Sequence, residues 1–382
     1  MKDLLKVEDL VVKFYTYEGV VEAIDGVTLN LKEGETLGLV GETGCGKSVT
    51  SLSILVLVPP PGKIESGKAF FKGENGYFDL LSQNEKSLMK IRGKDIAMIF
   101  QEPRAVLNPV YTVEEQISEV FMVHRIKELS ERVLNGIEED LRKGGSLRDP
   151  IYRFEKKIYK KILKNPNSLS PKILSKIPII KRYQRRLKKE ARKEVVSVLR
   201  IMKIPDPDRV ADMYPHELSG GMAQRVVIAM GLGCSPELLV ADEPTTNLDV
   251  TIQAQILELI RELKEEFKSS VLYITHDLGV IAELCDRVAV MYAGNVVELA
   301  DVFEIFKDSL HPYTQGLMES IPRPGVEFKS IKGEVPALIN PPLGCRFHPR
   351  CPKGMEICTR VKPKRTEAKK DHFVMCHLYS GS

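Results

Sequence analysis

Apolar and polar residues alternate from Leu4 to Phe14, the period of a strand with one buried face. After a turn at Glu18-Gly19 the alternation returns over Val20–Leu31 and stops at a second turn, Glu33-Gly34, which predicts a pair of strands. Three short runs are almost wholly apolar instead: Thr36–Val40, Leu238–Ala241 and Ser270–Thr275. Strands covered on both faces read this way, so these belong inside a sheet. Glu65–Lys72 and Asp95–Phe100 predict further strands. Helical spacing occupies Ser48–Val58, the stretch from Thr112 to about Ile204, the run through Leu232 that follows Ser219-Gly220-Gly221, and Val250–Phe267. Strands and helices interleaved in this order make an α/β chain.

Composition narrows the class. The 382 residues suffice for roughly two or three structural units with ample core. Hydrophobic residues make up 43% and charged residues 28%, ordinary values for a soluble protein. Basic residues number 56 and acidic residues 52, and the net charge of +4 does not by itself point to nucleic acid. No apolar run approaches the ~18 residues of a membrane span. The start, Met1-Lys2-Asp3-Leu4-Leu5, lacks the apolar core of a signal peptide. The expectation is a cytoplasmic chain that reaches a membrane only through partners.

The chemistry begins at Gly41-Glu42-Thr43-Gly44-Cys45-Gly46-Lys47-Ser48, a glycine, four residues, then Gly-Lys-Ser. A triphosphate needs backbone N–H groups turned inward around its oxygens, and glycines permit that geometry. Lys47 would reach the β- and γ-phosphates, and the Ser48 hydroxyl would ligate Mg²⁺. The strand before and the helix after place the loop at a helix N-terminus, where anions bind. Ahead of the loop lie Phe14, Tyr15 and Tyr17; Phe14 is the first choice to stack on an adenine ring, with strand-edge packing as the alternative.

Further polar groups punctuate strand ends. Gln101 follows an apolar strand and is placed to touch Mg²⁺ and an attacking water; a surface amide is the plainer reading. Asp242 and Glu243 end the Leu238 strand, and two carboxylates there are costly unless they meet a cation or a reacting water. Asp242 would hold Mg²⁺ and Glu243 would act as general base. His276 follows the Ser270 strand, within reach of a γ-phosphate. Ser219-Gly220-Gly221 opens a helix and forms a second anion-binding device, or simply a capped start. Thr245-Thr246-Asn247-Leu248-Asp249 makes a polar turn.

Arg125–Lys127, Lys156–Lys164 and Lys181–Lys193 are basic, interrupted by Pro166, Pro171 and Pro178. They would meet anionic lipid headgroups or an acidic partner, or form a solvated helical face. Aromatic interleaving is sparse, limited to Tyr152, Phe154, Tyr159 and Tyr183, which disfavours nucleic acid. Cys45, Cys234 and Cys285 are scattered and read as small, mostly buried residues. Cys345, Cys351, Cys358 and Cys376 cluster among prolines, and four thiolates can enclose zinc or a four-iron cluster. Disulfides are disfavoured in the cytoplasm. His348, His372 and His377 read as surface residues rather than ligands.

With the 41–48 loop, Gln101, Leu218–Met222, Asp242-Glu243, Asn247-Leu248-Asp249 and His276 in this order, the chain resembles the ATP-binding subunit of an ABC transporter. Met98–Pro103, Tyr214–Glu217 and His311–Thr314 resemble its oligopeptide/dipeptide subfamily. The resemblance implies a RecA-like P-loop ATPase core, an N-terminal antiparallel β subdomain, a helical subdomain and a loop-rich C-terminal cysteine extension. On this basis residues 1–111 and 205–300 form the ATPase core, 112–204 the helical subdomain with a basic insert near 130–195, and 301–382 the extension. It implies ATP and Mg²⁺ between the loop of one protomer and the Ser219-Gly220-Gly221 turn of another, with Asp249 also at the nucleotide. The implied assembly holds a second ATPase (a sister chain, or a second copy), two transmembrane permease subunits and an extracellular substrate-binding protein, at the cytoplasmic face of the membrane. It carries peptides or oligosaccharides, and nucleic acid is not a partner.

For the tail, the Cys345–Pro352 pattern resembles the subfamily's [4Fe–4S]-binding extension, with zinc as the alternative. The chain departs from the family in its long Gln101-to-Ser219 spacing, so the function of the insert is not inherited. It also carries Asn247 where alanine is usual. A soluble ABC-type ATPase acting on ribosomes or nucleic acid is the rival reading, but those chains usually carry two cassettes and this one has one of each motif.

Overall fold

The computed structural model describes residues 2–74, 76–143, 149–164, 182–246, 248–321 and 330–379. These fall into two compact units: Met1–Arg92, Ile96–Gln101 and Glu237–Ser382 in one, Gly93–Asp95 and Glu102–Pro236 in the other. The helical unit thus extends beyond 112–204 at both ends, and the C-terminal residues join the unit that holds the phosphate loop. Pro166, Pro171, Pro178 and Asn247 lie outside the described residues.

The first unit contains two sheets. One is antiparallel, built from β1 (Asp3–Thr16), β2 (Gly19–Lys32), β4 (Gly62–Gly73) and β5 (Gly76–Asp79) in the order β2-β1-β4-β5. Leu5, Val7, Leu10 and Val12 of β1 are all buried, although their spacing breaks step after Val7. A register shift between Val7 and Leu10 absorbs the extra residue, with Asp9 left-handed at φ 46°. The bulge turns both apolar pairs to the same face. The neighbouring strand supplies Gly67, where a Cβ would stand 2.6 Å from the Leu10 Cα. Only glycine fits beside that bulge.

The other sheet holds eight strands. Besides β3 (Thr36–Val40) these are β6 (Ile96–Ile99), β7 (Leu238–Asp242), β8 (Ser270–Thr275), β9 (Arg287–Tyr292), β10 (Asn295–Asp301), β11 (Thr366–Lys369) and β12 (His372–Val374), ordered β11-β12-β10-β9-β3-β8-β7-β6. From β6 to β9 neighbours run parallel, and their registers set Val40 beside Thr275, Asp242 beside Ile274 and Ile99 beside Ala241. The strands therefore end together, and the segments that follow them meet at one sheet edge. The Lys47–Ile54 helix is shorter than Ser48–Val58: Val56 adopts φ 54°, and Pro59, Pro60 and Pro61 follow.

Residues beyond 301 are less loop-rich than their composition suggests. They contribute helices Val302–Asp308 and Pro312–Glu319, and β12 pairs antiparallel with β10 through Val374–Glu298 and Phe373–Leu299. His372 is not a surface residue. It is 1% exposed, with Nε2 2.7 Å from Glu298 Oε1. A buried carboxylate requires donors, and Glu298 also accepts from the backbone N–H groups of Leu310 (2.7 Å) and His311 (2.9 Å).

The second unit is helical: Val113–His124, Ile126–Lys143, Asp149–Lys164, Arg182–Ile201, Pro207–Ala211 and Gly220–Leu232 are its principal helices. Thr112 and Glu115 form a reciprocal cap on the first. Leu129, Val133, Ile137, Ile158, Ile162, Leu187, Ala191 and Val195 are buried at helical spacing. Much of the basic charge is paired between helices: Lys156 with Glu138, Arg186 with Asp140 and Glu155, Arg125 and Arg132 with Glu194, and Arg192 with Glu114 and Asp212. Arg153, Lys157, Lys160 and Lys164 stay on the exposed face of their helix, so the solvated reading holds for part of the insert. No helix among the described residues is long and apolar enough to cross a membrane.

Candidate active site

The loop between β3 and the Lys47–Ile54 helix is held from below. Gly44 and Gly46 have φ values of 79° and 103°, a region that favours glycine. A Cβ on Gly41 would come within 2.1 Å of the Met291 carbonyl oxygen, whereas one on Gly44 would meet nothing within 4 Å. The loop is thus packed against β9 at its start and open at its crown, which suits a cradle for phosphate. Lys47 Nζ donates to the carbonyls of Gly41 (2.8 Å) and Glu42 (3.2 Å), and the buried Cys45 accepts from Gly294 N–H through its carbonyl (2.9 Å). The Glu42 N–H donates to the Tyr313 hydroxyl (3.1 Å). Thr43 lies exposed in the same loop.

Beside it, Ser48 Oγ donates to Asp242 Oδ1 at 3.1 Å, joining the helix start to the end of β7. Burial raises the Asp242 pKa and the Glu243 charge adds to the rise, while the Ser48 bond and Lys47 oppose it. Such a carboxylate is poised for a cation. Glu243 turns sharply out of the strand, with φ 45° and its N–H bonded to the Ile274 carbonyl (2.9 Å). Its Oε2 accepts from the Gln101 amide (3.1 Å) and the Thr246 hydroxyl (2.9 Å), and its Oε1 lies 3.2 Å from His276 Nδ1. Gln101, Asp242, Glu243 and His276 come from the ends of three neighbouring parallel strands and gather here together with Ser48. The arrangement can hold a cation next to Asp242 and a water next to Glu243.

The remaining expected residues have local duties. Ser219 caps the Gly220–Leu232 helix by accepting from the Met222 N–H (3.3 Å), so Gly220 and Gly221 form that helix's first turn. Asp249 caps Val250–Phe267, accepting from the Ile252 N–H at 3.0 Å. Phe14 is half-buried in β1 with its ring over Gly62, whereas Tyr17 is 97% exposed.

Residues 24–246 match the family model described as ABC transporter, and residues 297–358 match the one described as oligopeptide/dipeptide transporter, C-terminal region. The chain belongs to the ABC transporter family. It is 43% identical to the dipeptide transport ATP-binding protein DppD of Bacillus subtilis, over 99% of this chain and 95% of that one. It is 40% identical to the oligopeptide transport ATP-binding protein OppD of Salmonella typhimurium, over 94% and 89%. A solved ATP-binding cassette, dimeric in a post-hydrolysis state with ADP and Pi, aligns with a TM-score of 0.54 at 23% identity, covering 78% of this chain and 98% of that one. That likeness concerns the fold, an ABC cassette.

In this ABC transporter chain the four tail cysteines lie near one another without forming a closed site. Among the described residues no group of three or more His, Cys, Asp or Glu side chains is arranged to hold a metal ion. Cys345, Cys351, Cys358 and Cys376 form no disulfide among the described residues. Burial pushes the Cys345 thiol up to about 11, and the other three sulfurs add to the rise. Burial raises Cys351 and Cys376 as well, and the charges of their fellow cysteines contribute. The donors are the soft sulfurs that zinc or an iron–sulfur cluster takes, but their placement does not supply the expected cage.

Three residues of the ABC transporter site escaped sequence reasoning: Thr246, Tyr313 and Arg350. Thr246 falls within the Thr245–Asp249 polar turn, which local pattern marks only by its shape. Tyr313 and Arg350 contact Glu42 from 271 and 308 positions away. The available signals are Glu42 itself, a carboxylate in a loop built for anions that calls for a neighbouring cation, and the place of Tyr313 and Arg350 within the His311–Thr314 and Cys345–Pro352 stretches.

Proposed function

We propose that this chain is the ATPase subunit of a membrane importer for peptides, hydrolysing ATP to drive uptake. The observation that carries the reading is the convergence of Lys47, Ser48, Asp242, Glu243, Gln101 and His276 on the sheet edge where β3, β6, β7 and β8 end. Peptides are favoured over oligosaccharides because the relatives are named for dipeptide and oligopeptide transport and the C-terminal match is to a region of that type. The ATPase core is drawn from Met1–Arg92, Ile96–Gln101 and the residues from Glu237 to about 300, the helical part from Glu102–Pro236, and residues 301–382 serve as the extension.

In this reading Lys47 and the N–H groups of residues 43–48 bind the phosphates. Ser48, Gln101 and Asp242 would hold Mg²⁺, which supplies charge neutralisation at the phosphoryl oxygens. Glu243 takes the proton of a water whose oxygen attacks the γ-phosphorus, while the bond to the β-γ bridging oxygen breaks and ADP leaves. Gln101 and His276 orient the Glu243 carboxylate. Ser219, Gly220, Gly221 and Asp249 serve the nucleotide of a partner ATPase across a head-to-tail pair, and Phe14 is the first choice to face the base, with strand-edge packing as its alternative.

The partners are a second ABC ATPase (a sister chain first, a second copy otherwise), two transmembrane permease subunits and an extracellular substrate-binding protein, with this chain peripheral on the cytoplasmic face. Cys345, Cys351, Cys358 and Cys376 would hold a [4Fe–4S] cluster, with zinc as the second reading, only after their side chains turn inward from the placement described above; either would hold the thiols as thiolates despite the raised pKa values of Cys345, Cys351 and Cys376. Co-purification of the tagged chain from its native membranes tests the whole. Recovery of two permease-like proteins and a second ATPase supports it. Recovery of ribosomal or nucleic-acid partners overturns the transport role.

A further inference from the structure

Glu42, the second residue of the phosphate loop, is a carboxylate beside a site for a polyanion. Uncompensated, it would repel the triphosphate. In the structure it is compensated from the far end of the chain. Arg350 Nη1 stands 3.1 Å from each Glu42 carboxylate oxygen. The Arg350 side chain is 6% exposed and that of Glu42 28%, so water screens the pair only partly.

Arg350 is itself fixed in place. Its Nε donates to the Lys332 carbonyl at 3.1 Å, Nη2 to the Ile331 carbonyl at 3.5 Å and Nη1 to the Tyr292 hydroxyl at 3.4 Å. The guanidinium lies 5.7 Å from the centre of the Tyr292 ring, which packs on Tyr313 (4.5 Å) and Phe347 (5.1 Å). Tyr313 in turn accepts the Glu42 N–H, and Lys47 grips the Glu42 carbonyl (3.2 Å). All three polar groups of Glu42 are therefore engaged, two of them by residues beyond position 310.

We propose that Arg350 is a positioning and charge-balancing residue for the nucleotide site: it neutralises Glu42 and, with Tyr313, holds the first turn of the loop so that a triphosphate can enter. This inference rests on the ATP-binding reading of the loop. Arg350 does not touch the nucleotide; it acts through Glu42. The ligand class that feels it most is the most highly charged, so ATP should respond more than AMP.

The test is calorimetric titration of the full chain with Mg-ATP and with AMP, for the wild type, Arg350→Met, Glu42→Gln, the double variant and Lys47→Ala. Arg350→Met should weaken ATP binding about tenfold and AMP binding less. Adding Glu42→Gln should restore ATP affinity, because the unpaired carboxylate is gone. A merely structural Arg350 would not be rescued in this way. Wild-type ATP affinity in Arg350→Met, or a double variant as weak as the single one, overturns the proposal. Should Arg350→Met not fold, Glu42→Gln alone decides, since it leaves Arg350 free to attract phosphate and should tighten ATP binding; unchanged or weaker binding overturns the proposal. Lys47→Ala separates the two readings: intact ATP binding there would sink the phosphate-loop assignment itself, whatever Arg350 does.

Discussion

His276 Nδ1 lies 3.2 Å from one carboxylate oxygen of Glu243, while the Gln101 amide and the Thr246 hydroxyl hold the other. A carboxylate so tethered has a fixed direction for its remaining lone pairs. Glu243→Gln keeps the size and most of these bonds but cannot accept a proton. It should bind Mg-ATP at near wild-type affinity and hydrolyse it ~10²–10⁴-fold more slowly. Single-turnover ATPase rates check this, and near-normal turnover would remove Glu243 from the role of base.

The Ser48–Asp242 bond predicts a magnesium effect. Removing the hydroxyl in Ser48→Ala would delete a ligand of the proposed Mg²⁺ and also removes the hydrogen bond that lowers the Asp242 pKa. The carboxyl then titrates higher still, so it is protonated at milder acidity. The Mg²⁺ concentration for half-maximal ATPase should rise about tenfold, one lost charge-assisted contact, and the gap from wild type should widen as pH falls. A gap that narrows with acidification would contradict the assignment.

His311 predicts a pH effect on stability. Its Nδ1 accepts the Tyr313 N–H (3.0 Å), which requires the neutral ring. Burial depresses its pKa from 6.5 to about 4, and the nearby Glu298 charge only partly opposes this. Between those values the folded state binds fewer protons than the unfolded one, so the stabilisation is present above pH 6.5 and is lost as pH falls towards 4. The amount at stake is on the order of 3 kcal/mol. His311→Asn keeps an acceptor for Tyr313 and cannot titrate, so its melting temperature should fall less between pH 7 and pH 4.5. Parallel curves would show that another group governs the acid loss.

Two glycines of one loop should fail differently. Gly41→Ala drives a methyl into the Met291 backbone carbonyl, which cannot swing aside, and should cost ~3 kcal/mol of stability or more. Gly44→Ala meets no neighbour but forces a left-handed alanine, for about 1 kcal/mol. It should stay folded and lose nucleotide because its methyl occupies the cradle. Thermal melts paired with ATP titrations distinguish the two, and similar melting temperatures would refute the packing argument.

For the cysteine tail, Cys351→Ser should lower bound iron and visible absorbance after anaerobic purification and destabilise residues beyond 340 towards protease. Equal iron content and equal protease resistance in variant and wild type would withdraw the cluster assignment, and stoichiometric zinc with no iron would replace it.

The parts of the fold that could be read in advance are those set by local pattern. β3 and β8 match their continuous apolar runs residue for residue, and the Val250–Phe267 helix matches its helical spacing between a polar turn and the next strand. The helix after the phosphate loop ends at Ile54, where Val56 turns left-handed ahead of three prolines, an ending that apolar periodicity alone conceals. At the site, Ser48, Asp242, Glu243, Gln101 and His276 were legible because each follows a readable strand or turn. Arg350 and Tyr313 were not, since their partner sits near the opposite end of the chain. His372 looked like a surface residue because nothing local announces that Glu298 will need it.

The pairing of β12 with β10 also bears on how the protein behaves in a crowded solution. β10 is a seven-residue strand, buried along most of its length, and its free backbone edge would be a template for strands of other molecules. β12 covers part of that edge, and β11 then ends the sheet with four residues, Thr366, Glu367, Ala368 and Lys369, short and half charged. A chain cut near residue 300 would keep Lys47, Asp242 and Glu243 yet bare a long apolar edge. Its first symptom would be insolubility rather than slow hydrolysis, so the tail also acts as the protein's own safeguard against sticking to its copies.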